Sequence, residues 1–512
     1  MTNTSANNKR IAKNTLMLYV RMLFQMVISL YTSRVILNAL GVEDYGIYNV
    51  VGGFVFMFTI LSGSLNSAIS RFITFELGTG DKDRLKKIFS SSVTIQLILS
   101  SIIIIIAETV GLWFLNYKMV IPAERMIAAN WCFQLSILTF TINLISVPYN
   151  AAIIAHEKMS AFAYISILDA TFKLIIAWSI LISPIDRLIF YAALLAFLAV
   201  FIRMLYGLYC KKNFEECEFH LSYDHSLMKQ MFSFAGWNFL GACSFQLMTL
   251  GVNLLSNLYF GVIVNAARGI ATQVEHAVTV FANNFTTAVN PQITKSYASE
   301  QKDYMFSLMF GGAKLSFFLM LYLVVPLLFE TKQILELWLK NVPDYTISFV
   351  RLTIIVCMIS VLSNTMITAM LATGNIKKYQ IIVGGLGMLV FPIVWLLFDL
   401  KFTPESAYVV IIVVDIVQLI CRLYLMREMI GMSIIAFVRD VLVRVVLTCV
   451  FAFTIPFVIY YYVNESMMRF FIIVVASVLL NSLAIMSVGL NVTERQFVCK
   501  QIFKYARKFQ QH

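Results

Sequence analysis

Polar side chains recur every three or four residues along the segment "NAARGIATQVEHAVTVFANNFTTAVN" (265–290), although the chain as a whole is 60% hydrophobic. At this spacing they fall on one face of a helix. The stripe consists of Asn265, Arg268, Thr272, Glu275, Thr279, Asn283, Thr286 and Asn290. The arginine carries a planar guanidinium that stays charged and donates two parallel hydrogen bonds, which suits phosphate. We therefore interpret the stripe as one wall of a polar cavity that attracts an anionic ligand.

Further ionisable residues lie inside apolar stretches, where a charge costs roughly 2.5–3.5 kcal/mol and usually marks a functional cavity. The candidates are Arg21, Arg34, Glu108, Asp169, Lys173, Arg268, Glu275, His276 and Asp415. The basic residues that we assign to phosphate binding are Arg21, Arg34, Lys173 and Arg268. The carboxylates that we assign to ion coupling are Asp169, Glu275 and Asp415.

Several of these residues also have a purely structural interpretation. Arg21 lies about seven residues into its helix, close enough for its side chain to reach the headgroups. Lys173 follows Asp169 by one helical turn, so the two charges can form an internal ion pair. Arg34 and Glu108 lie near the outer ends of their helices, where an interfacial role is the alternative.

Polar stripes also run along two other predicted helices. In the first helix Arg21 is followed at helical spacing by polar residues, and the seventh helix carries a similar series. We predict that uncharged polar residues complete the cavity wall beside the basic ones. They are Gln25, Asn253, Asn257, Asn265, Thr272, Thr279 and Asn283.

The composition predicts a membrane protein, because only 13% of the 512 residues are charged, whereas a soluble domain has roughly 25%. The first 13 residues are polar, and the apolar stretch after them is too long for a signal peptide. We therefore expect an uncleaved first transmembrane helix. The eight cysteines form no CxxC pair, so neither a disulfide framework nor a metal site is indicated.

A window of about 20 apolar residues per crossing predicts fourteen transmembrane helices in an all-α fold. The predicted spans are 14–37, 47–70, 88–114, 126–149, 161–183, 187–210, 230–257, 264–289, 307–329, 347–371, 379–399, 406–427, 440–463 and 468–490. Lysine and arginine are concentrated in the N-terminus, in alternate loops and in the C-terminal tail. The positive-inside rule then predicts that both termini are cytoplasmic, and it explains the net charge of +12 without nucleic acid.

The chain resembles itself at a shift of 220 residues, where Gly41 meets Gly261 and Asp83 meets Asp303. Six spans return the chain to the cytoplasm, so the two repeats are predicted to be parallel six-helix lobes that line a water-filled cavity between them. The predicted organisation is a cytoplasmic N-terminus (1–13), an N-terminal lobe (14–212), an inter-lobe loop (213–229), a C-terminal lobe (230–430), two additional helices (440–490) and a basic cytoplasmic tail (491–512).

Two segments resemble a known family. "RVILNALGVEDYGIYNVVGG" (34–53) is similar to the signature of polysaccharide flippases of the O-antigen translocase type, and "SVPYNAAIIAHEKMSAFAYISILDA" (146–170) is similar to a second segment that they share. Fourteen spans in a 6+6+2 plan also resemble that family, which belongs to the multidrug/oligosaccharidyl-lipid/polysaccharide (MOP) exporter superfamily. The resemblance covers essentially the whole chain.

The resemblance implies a flippase that moves undecaprenyl-pyrophosphate-linked oligosaccharide across a bacterial cytoplasmic (inner) membrane, as in lipopolysaccharide synthesis. It implies alternating access through a cationic central cavity, in which Arg21 and Arg268 match basic positions of the family and Lys173 matches more weakly. Asparagine and threonine side chains suit the sugar hydroxyls, and the last two spans suit the lipid tail. The expected partners are the lipid-linked substrate, membrane lipids, a polysaccharide polymerase and a chain-length regulator. We expect a monomer with no cofactor and no catalytic residue, driven by a gradient of H+ or Na+.

Three other functions remain open. An ion-coupled multidrug exporter of the same superfamily usually takes cations, which Arg21 disfavours and Asp169 favours. A membrane polysaccharide polymerase typically has a large external loop, whereas the longest external loop here, around 330–346, is short. A scaffolding protein leaves the polar stripes unexplained. The sequence GxxxxGK[ST] does not occur, so ATP is not expected to drive the cycle directly.

Overall fold

The described residues form a helical protein without β-strands. The computed structural model describes residues 2–496 except 57, 118, 120, 219–223, 340, 341 and 493. The helices are α1 (Thr2–Phe56), α2 (Thr59–Thr79), α3 (Lys82–Tyr117), α4 (Ala123–Ala155), α5 (Met159–Ile182), α6 (Arg187–Asn213), α7 (His225–Gly261), α8 (262–298), α9 (Lys302–Phe329), α10 (Thr331–Leu339), α11 (Thr346–Ala372), α12 (Lys377–Asp399), α13 (Ser406–Ile430), α14 (Ile434–Tyr462) and α15 (Met467–Gly489). The predicted all-α class is confirmed.

Twelve segments of the described chain are long and apolar enough to cross a membrane, as judged by length and composition. They coincide with twelve of the fourteen predicted spans, with ends that differ by a few residues. The predicted span 264–289 is one uninterrupted helix within α8, but its polar stripe lowers its hydropathy. The predicted span 47–70 is not a single helix, since it is divided between the end of α1 and the start of α2.

Two glycines bend the long helices. Gly41 in α1 has φ 80° and ψ 170°, and Gly261 between α7 and α8 has φ 78° and ψ −166°. Side chains with a Cβ rarely adopt positive φ, whereas glycine does so without penalty. The first predicted span therefore runs on, as helix, past residue 37 and changes direction at Gly41 instead of ending in a loop.

The internal repeat is visible in the backbone as well as in the sequence. Gly41 and Gly261, which are 220 residues apart, both have positive φ, and so do Gly80 (φ 82°) and Glu300 (φ 58°) at the same separation. Positive φ is uncommon outside glycine. Its recurrence at equivalent positions is therefore evidence for the repeat that does not depend on sequence identity. The kink and the following turn are thus structural features of both halves of the chain.

The described chain divides into two compact units. Unit 1 comprises Met1–Cys243, Thr287–Gln301 and Gly374–Lys377, and unit 2 comprises Ser244–Thr286, Lys302–Thr373 and Lys378–His512. Within unit 1, α1 packs on α5 and α4 packs on α6. Within unit 2, α11 packs on α13, and α9 packs on both α14 and α15. The predicted lobes and extra helices remain predictions, and residues 219–223 of the predicted inter-lobe loop and 497–512 of the predicted tail lie outside the described residues.

In unit 1, the buried carboxylate of Glu157 joins three parts of the chain. Glu157 lies in the turn between α4 and α5, with φ 59° and a side chain that is 0% exposed. Lys295 Nζ lies 3.0 Å from Glu157 Oε1, and Arg10 Nε lies 2.8 Å from Oε2. Gln292 Nε2 donates to both carboxylate oxygens at 2.7 Å, and Asn14 Nδ2 donates to the Glu157 backbone carbonyl at 3.1 Å. The start of α1 and the end of α8 are thus both attached to the α4–α5 turn.

In unit 2, one ion pair anchors the start of α15 and another anchors the segment that follows its C-terminal end. Arg469 donates from Nε and Nη2 to the two carboxylate oxygens of Glu330, at 2.7 and 2.9 Å, and both residues are buried. Lys314, which is 1% exposed within α9, donates to Glu494 Oε2 at 2.8 Å. Sequence reasoning did not single out Lys314 as an intramembrane charge. Its partner shows that the charge serves to attach the segment after α15.

Candidate functional site

A cavity of about 230 Å³ lies within unit 2, between side chains of α7, α8, α11 and α13. Four of the predicted site residues line it: Asn253, Arg268, Thr272 and Glu275. Other polar contributions come from Thr249, Thr353 and Tyr408. The helical spacing of the stripe on α8 brings its members to the same side, as the sequence pattern indicated.

Arg268 is the buried cation of this cavity, with 7% of its surface exposed. Its Nη2 donates to the backbone carbonyl of Thr249 at 3.5 Å, a long contact, and its guanidinium carbon lies 5.2 Å from the ring centroid of Tyr408. Thr249 belongs to a π-helical turn, Leu247–Gly251, a feature that is frequent at functional sites. In the described part of the chain no carboxylate lies within 4.0 Å of the guanidinium, so most of its donors remain available to a ligand.

The other polar groups around Arg268 differ in what they can still bind. The hydroxyl group of Thr272 donates to a backbone carbonyl of α8 at 3.0 Å, which leaves its lone pairs as acceptors. The predicted residue Thr279, whose hydroxyl donates to the Glu275 carbonyl at 2.7 Å, does not line this cavity. Asn253 Oδ1 is buried and accepts no hydrogen bond from any described residue. Glu275 follows Arg268 by seven residues, which corresponds to about 10 Å along the helix. The cavity therefore contains one basic and one acidic group that are not directly paired.

A second cavity, of about 430 Å³, lies within unit 1 between α1, α4, α5 and α6. It contains the predicted residues Gln25, Asp169 and Lys173. Lys173 Nζ donates to Asp169 Oδ2 at 2.7 Å, so the ion pair considered from the sequence is present. Gln25 Nε2 donates to the backbone carbonyl of Ser166 at 3.4 Å. This cavity is polar, but its charged groups neutralise each other.

Two other predicted phosphate ligands, Arg21 and Arg34, are not among the residues that line the two cavities. Arg21 packs with its guanidinium carbon 4.5 Å from the ring centroid of Phe162, and its buried Nε makes no hydrogen bond with any described residue. Arg34 is exposed on α1. Neither residue lines the 430 Å³ cavity.

The remaining predicted residues are distributed around unit 2. Asp415 is 6% exposed and its Oδ2 accepts a hydrogen bond from the Ser360 hydroxyl at 2.7 Å. Asn283 Oδ1 accepts from Asn364 Nδ2 at 3.2 Å. Asn257 is half-buried and does not line the 230 Å³ cavity. The side chain of Asn265 lies outside the described residues. No group of three metal-ligating His, Cys, Asp or Glu side chains occurs in the residues that the structure describes.

Sequence reasoning missed several polar residues of both cavities. Asn143 and Asn150 line the unit 1 cavity from α4, and Tyr206 lines it from α6. The two asparagines are seven residues apart, two helical turns, so helical spacing could have found them. Tyr408 of the unit 2 cavity lies seven residues before Asp415 in α13, so the same two-turn spacing could have indicated it.

The contact between Lys173 and Asp169 predicts compensation between two substitutions. Lys173→Gln alone leaves Asp169 with an unpaired charge, whereas Asp169→Asn/Lys173→Gln removes both charges and retains two hydrogen-bonding side chains. We expect the double variant to keep more activity than Lys173→Gln alone, measured by complementation of a deletion strain at matched protein levels. Equal loss in the single and double variants would show that Lys173 acts on the substrate independently of its partner.

The fold of the described chain is that of MATE transporters. A multidrug resistance MATE family transporter of the MOP superfamily in an outward-facing conformation matches it with a TM-score of 0.71 and 14% identity, over 84% of this chain and 96% of that one. A MATE structure in the straight conformation matches with a TM-score of 0.70 and 15% identity, over 85% and 97% of the two chains. The described chain therefore has the fold of these transporters, as the sequence resemblance implied.

A third structure with this fold is a MOP superfamily transporter from Pyrococcus furiosus Vc1 (DSM3638), described as having a binding pocket of reverse polarity that suggests a different function. It matches with a TM-score of 0.70 and 14% identity, over 84% of this chain and 96% of that one. Identity at this level establishes the fold alone. No curated protein matches the chain.

The family of this chain is shown by a match of its sequence to a family model. Residues 11–297 match the model of the family "polysaccharide biosynthesis protein", which is more than half of the chain. The protein belongs to this family.

Proposed function

We propose that the protein is a flippase that moves undecaprenyl-pyrophosphate-linked oligosaccharide from the inner to the outer leaflet of a bacterial cytoplasmic membrane by alternating access. The observation that carries this proposal is the Arg268 guanidinium, buried in a polar cavity without a carboxylate within ion-pair distance among the described residues. A desolvated arginine with unused donors favours a phosphate ligand. Membership of the polysaccharide biosynthesis protein family supports a sugar-linked cargo.

The chemistry of such a cargo fits the groups that surround Arg268. A pyrophosphate needs charge-assisted donors, and sugar hydroxyls need mixed donors and acceptors such as Asn253 and Thr272. The polyprenyl tail stays in the lipid. Helices α14 and α15 have many exposed apolar side chains, and we propose that they guide this tail.

The acidic residues suggest how the cycle is coupled. Glu275 shares the cavity with Arg268 at a distance of two helical turns, so protonation or Na+ binding at Glu275 changes the positive potential that a phosphate meets. In unit 1 the arrangement differs, because Asp169 accepts a hydrogen bond from Lys173 directly, at 2.7 Å. We propose that a gradient of H+ or Na+ drives release through these carboxylates. In this proposal both termini are cytoplasmic, and the protein works as a monomer beside a polymerase and a chain-length regulator.

The test is lipid extraction from cells that lack the protein, followed by mass analysis of undecaprenyl-linked oligosaccharides. We expect complete repeat units to accumulate and to disappear when the wild-type gene is restored. Loss of a polymerase would leave single repeat units on the outer face of the cytoplasmic membrane, where a glycosidase added to spheroplasts reaches them. Loss of a flippase would leave them on the inner face, protected from the enzyme. Absence of lipid-linked sugars, or accumulation of incomplete units, would contradict the proposal.

The second candidate is an ion-coupled multidrug exporter. The observations in its favour are the MATE fold and the carboxylates Asp169, Glu275 and Asp415, which suit a cationic drug. Buried Arg268 disfavours a cation in the unit 2 cavity, because a like charge in a low dielectric is strongly repelled. Efflux of cationic dyes, compared between the deletion strain and the same strain with the gene restored, separates the two candidates. A multidrug exporter restores efflux, whereas a flippase leaves it unchanged.

A further inference from the structure

A third cavity, of about 620 Å³, lies in unit 1 beside the C-terminal end of α6. It is separate from the two cavities described above and shares no lining residue with them. Its charged lining residues are Arg203, Lys211 and Glu218, two cations against one carboxylate. We propose that this cavity binds the phosphate of a membrane phospholipid.

The helical spacing places the two cations on the same face of α6. Arg203, Gly207 and Lys211 are four residues apart in succession, so they lie above one another, with about 12 Å of rise between the two charges. The Arg203 side chain lies over the glycine, because a Cβ built on Gly207 comes within 2.9 Å of Arg203 Nη1. The absence of a side chain at position 207 therefore leaves the guanidinium room to lie along the helix toward Lys211.

Among the described residues, an aromatic ring and no carboxylate orients the guanidinium of Arg203. Its central carbon lies 3.7 Å from the ring centroid of Tyr149, a cation–π contact that holds its plane. Its Nε is buried and makes no hydrogen bond with any described residue. A buried donor without a partner is costly, and a phosphate oxygen would satisfy it.

The surroundings of the two cations indicate a lipid and not a free phosphate. Met204 and Leu208, which also line the cavity, are 58% and 64% exposed on the membrane-spanning helix α6. Side chains of this kind face acyl chains. Lys211 lies in the last turn of the same helix, at the depth where headgroups lie. A phospholipid can thus place its phosphate between Arg203 and Lys211 and its chains against Met204 and Leu208.

Basic pockets at the ends of transmembrane helices bind lipid headgroups by these interactions. The inference does not depend on the proposed transport activity. It concerns whichever leaflet meets the end of α6, which is the cytoplasmic leaflet in the proposed topology. A lipid bound here would place its phosphate in this cavity of unit 1.

The experiment measures binding of short-chain phosphatidylglycerol to the purified full-length protein by native mass spectrometry. Lys211 and Lys212 are adjacent and both exposed, but only Lys211 lines the cavity, so Lys211→Gln and Lys212→Gln form a matched pair. We expect Lys211→Gln to weaken binding about fivefold, the usual effect of one basic residue at a lipid surface, and Lys212→Gln to leave it unchanged. Arg203→Gln should weaken it about tenfold or more.

Two ligand controls distinguish the sources of the phosphate. Diacylglycerol, which has chains but no phosphate, should not bind at this site. Glycerol phosphate, which has the phosphate but no chains, should compete only at far higher concentration. Equal binding by the Lys211 and Lys212 variants, or equal affinity for phosphatidylglycerol and diacylglycerol, would reject the site, and equal affinity for glycerol phosphate would reject the lipid.

Discussion

Arg268→Ala is expected to abolish transport while the protein remains inserted and abundant. In the proposed function the buried guanidinium binds the substrate phosphate, and loss of one partner of a buried, hydrogen-bonded charge pair costs about 2–5 kcal/mol. That corresponds to a fall in affinity of roughly 30-fold or more. The measurement is the amount of lipid-linked oligosaccharide on the outer face of complemented deletion cells, normalised to the amount of protein in the membrane.

Two further variants show whether the effect is specific to this guanidinium. Arg268→Lys keeps the charge and loses the bidentate geometry, so it should retain part of the activity. Arg427→Ala removes an exposed arginine near the end of α13 in the same unit, and should transport normally. Normal transport by Arg268→Ala would remove Arg268 from the site and with it the main support for the proposed function.

Glu157→Gln is expected to lower the stability of unit 1. The substitution preserves volume and the positive-φ backbone, but it leaves Lys295 and Arg10 without their common anion. Loss of one partner from a fully buried pair costs 3–5 kcal/mol. Because the Arg10 side chain is 48% exposed, we expect a smaller loss here, about 2–3 kcal/mol. It should appear as a fall of several degrees in the thermal unfolding midpoint of the purified protein in detergent.

The matched control for Glu157 is Glu215, a carboxylate that also pairs with a lysine. The Lys82–Glu215 pair has a similar distance, 3.0 Å, but its side chains are 75% and 74% exposed. Exposed pairs contribute little, so Glu215→Gln should leave the unfolding midpoint nearly unchanged. If both variants unfold at the wild-type temperature, the contacts of Glu157 with Arg10 and Lys295 do not stabilise unit 1.

The polar stripe of α8 illustrates how much of the site could be predicted. Arg268, Thr272 and Glu275 line one cavity. The sequence could predict that they share a helix face, because helical periodicity is a local property that a sequence displays directly. The same reasoning placed Asp169 one turn from Lys173, and the ion pair is present. It did not identify Tyr408, which enters the same cavity from α13, because that position in the cavity is recognised only once the neighbouring helix is known.

Long-range partners were outside the reach of the sequence. Glu157 lies in a short turn that the sequence marks only as a connection, yet it contacts Gln292, which is 135 residues away. The stripe that contains Arg21 likewise did not indicate that its guanidinium packs on Phe162 from α5. In each case the deciding contact comes from another helix.

The sequence by itself determined the all-α membrane class, twelve of the fourteen predicted spans to within a few residues, the repeat at 220 residues and the family. These follow from hydropathy, helical spacing and local motifs. Only the tertiary structure decided which polar residues share a cavity, where α1 bends, and which charges are paired. The physical reason is that lipid and the interior of a helix bundle are about equally apolar, so hydrophobic pattern does not distinguish the inward face of a transmembrane helix from its lipid-facing side. Polar spacing shows that such a helix has a special face, and packing against its neighbours determines what that face meets.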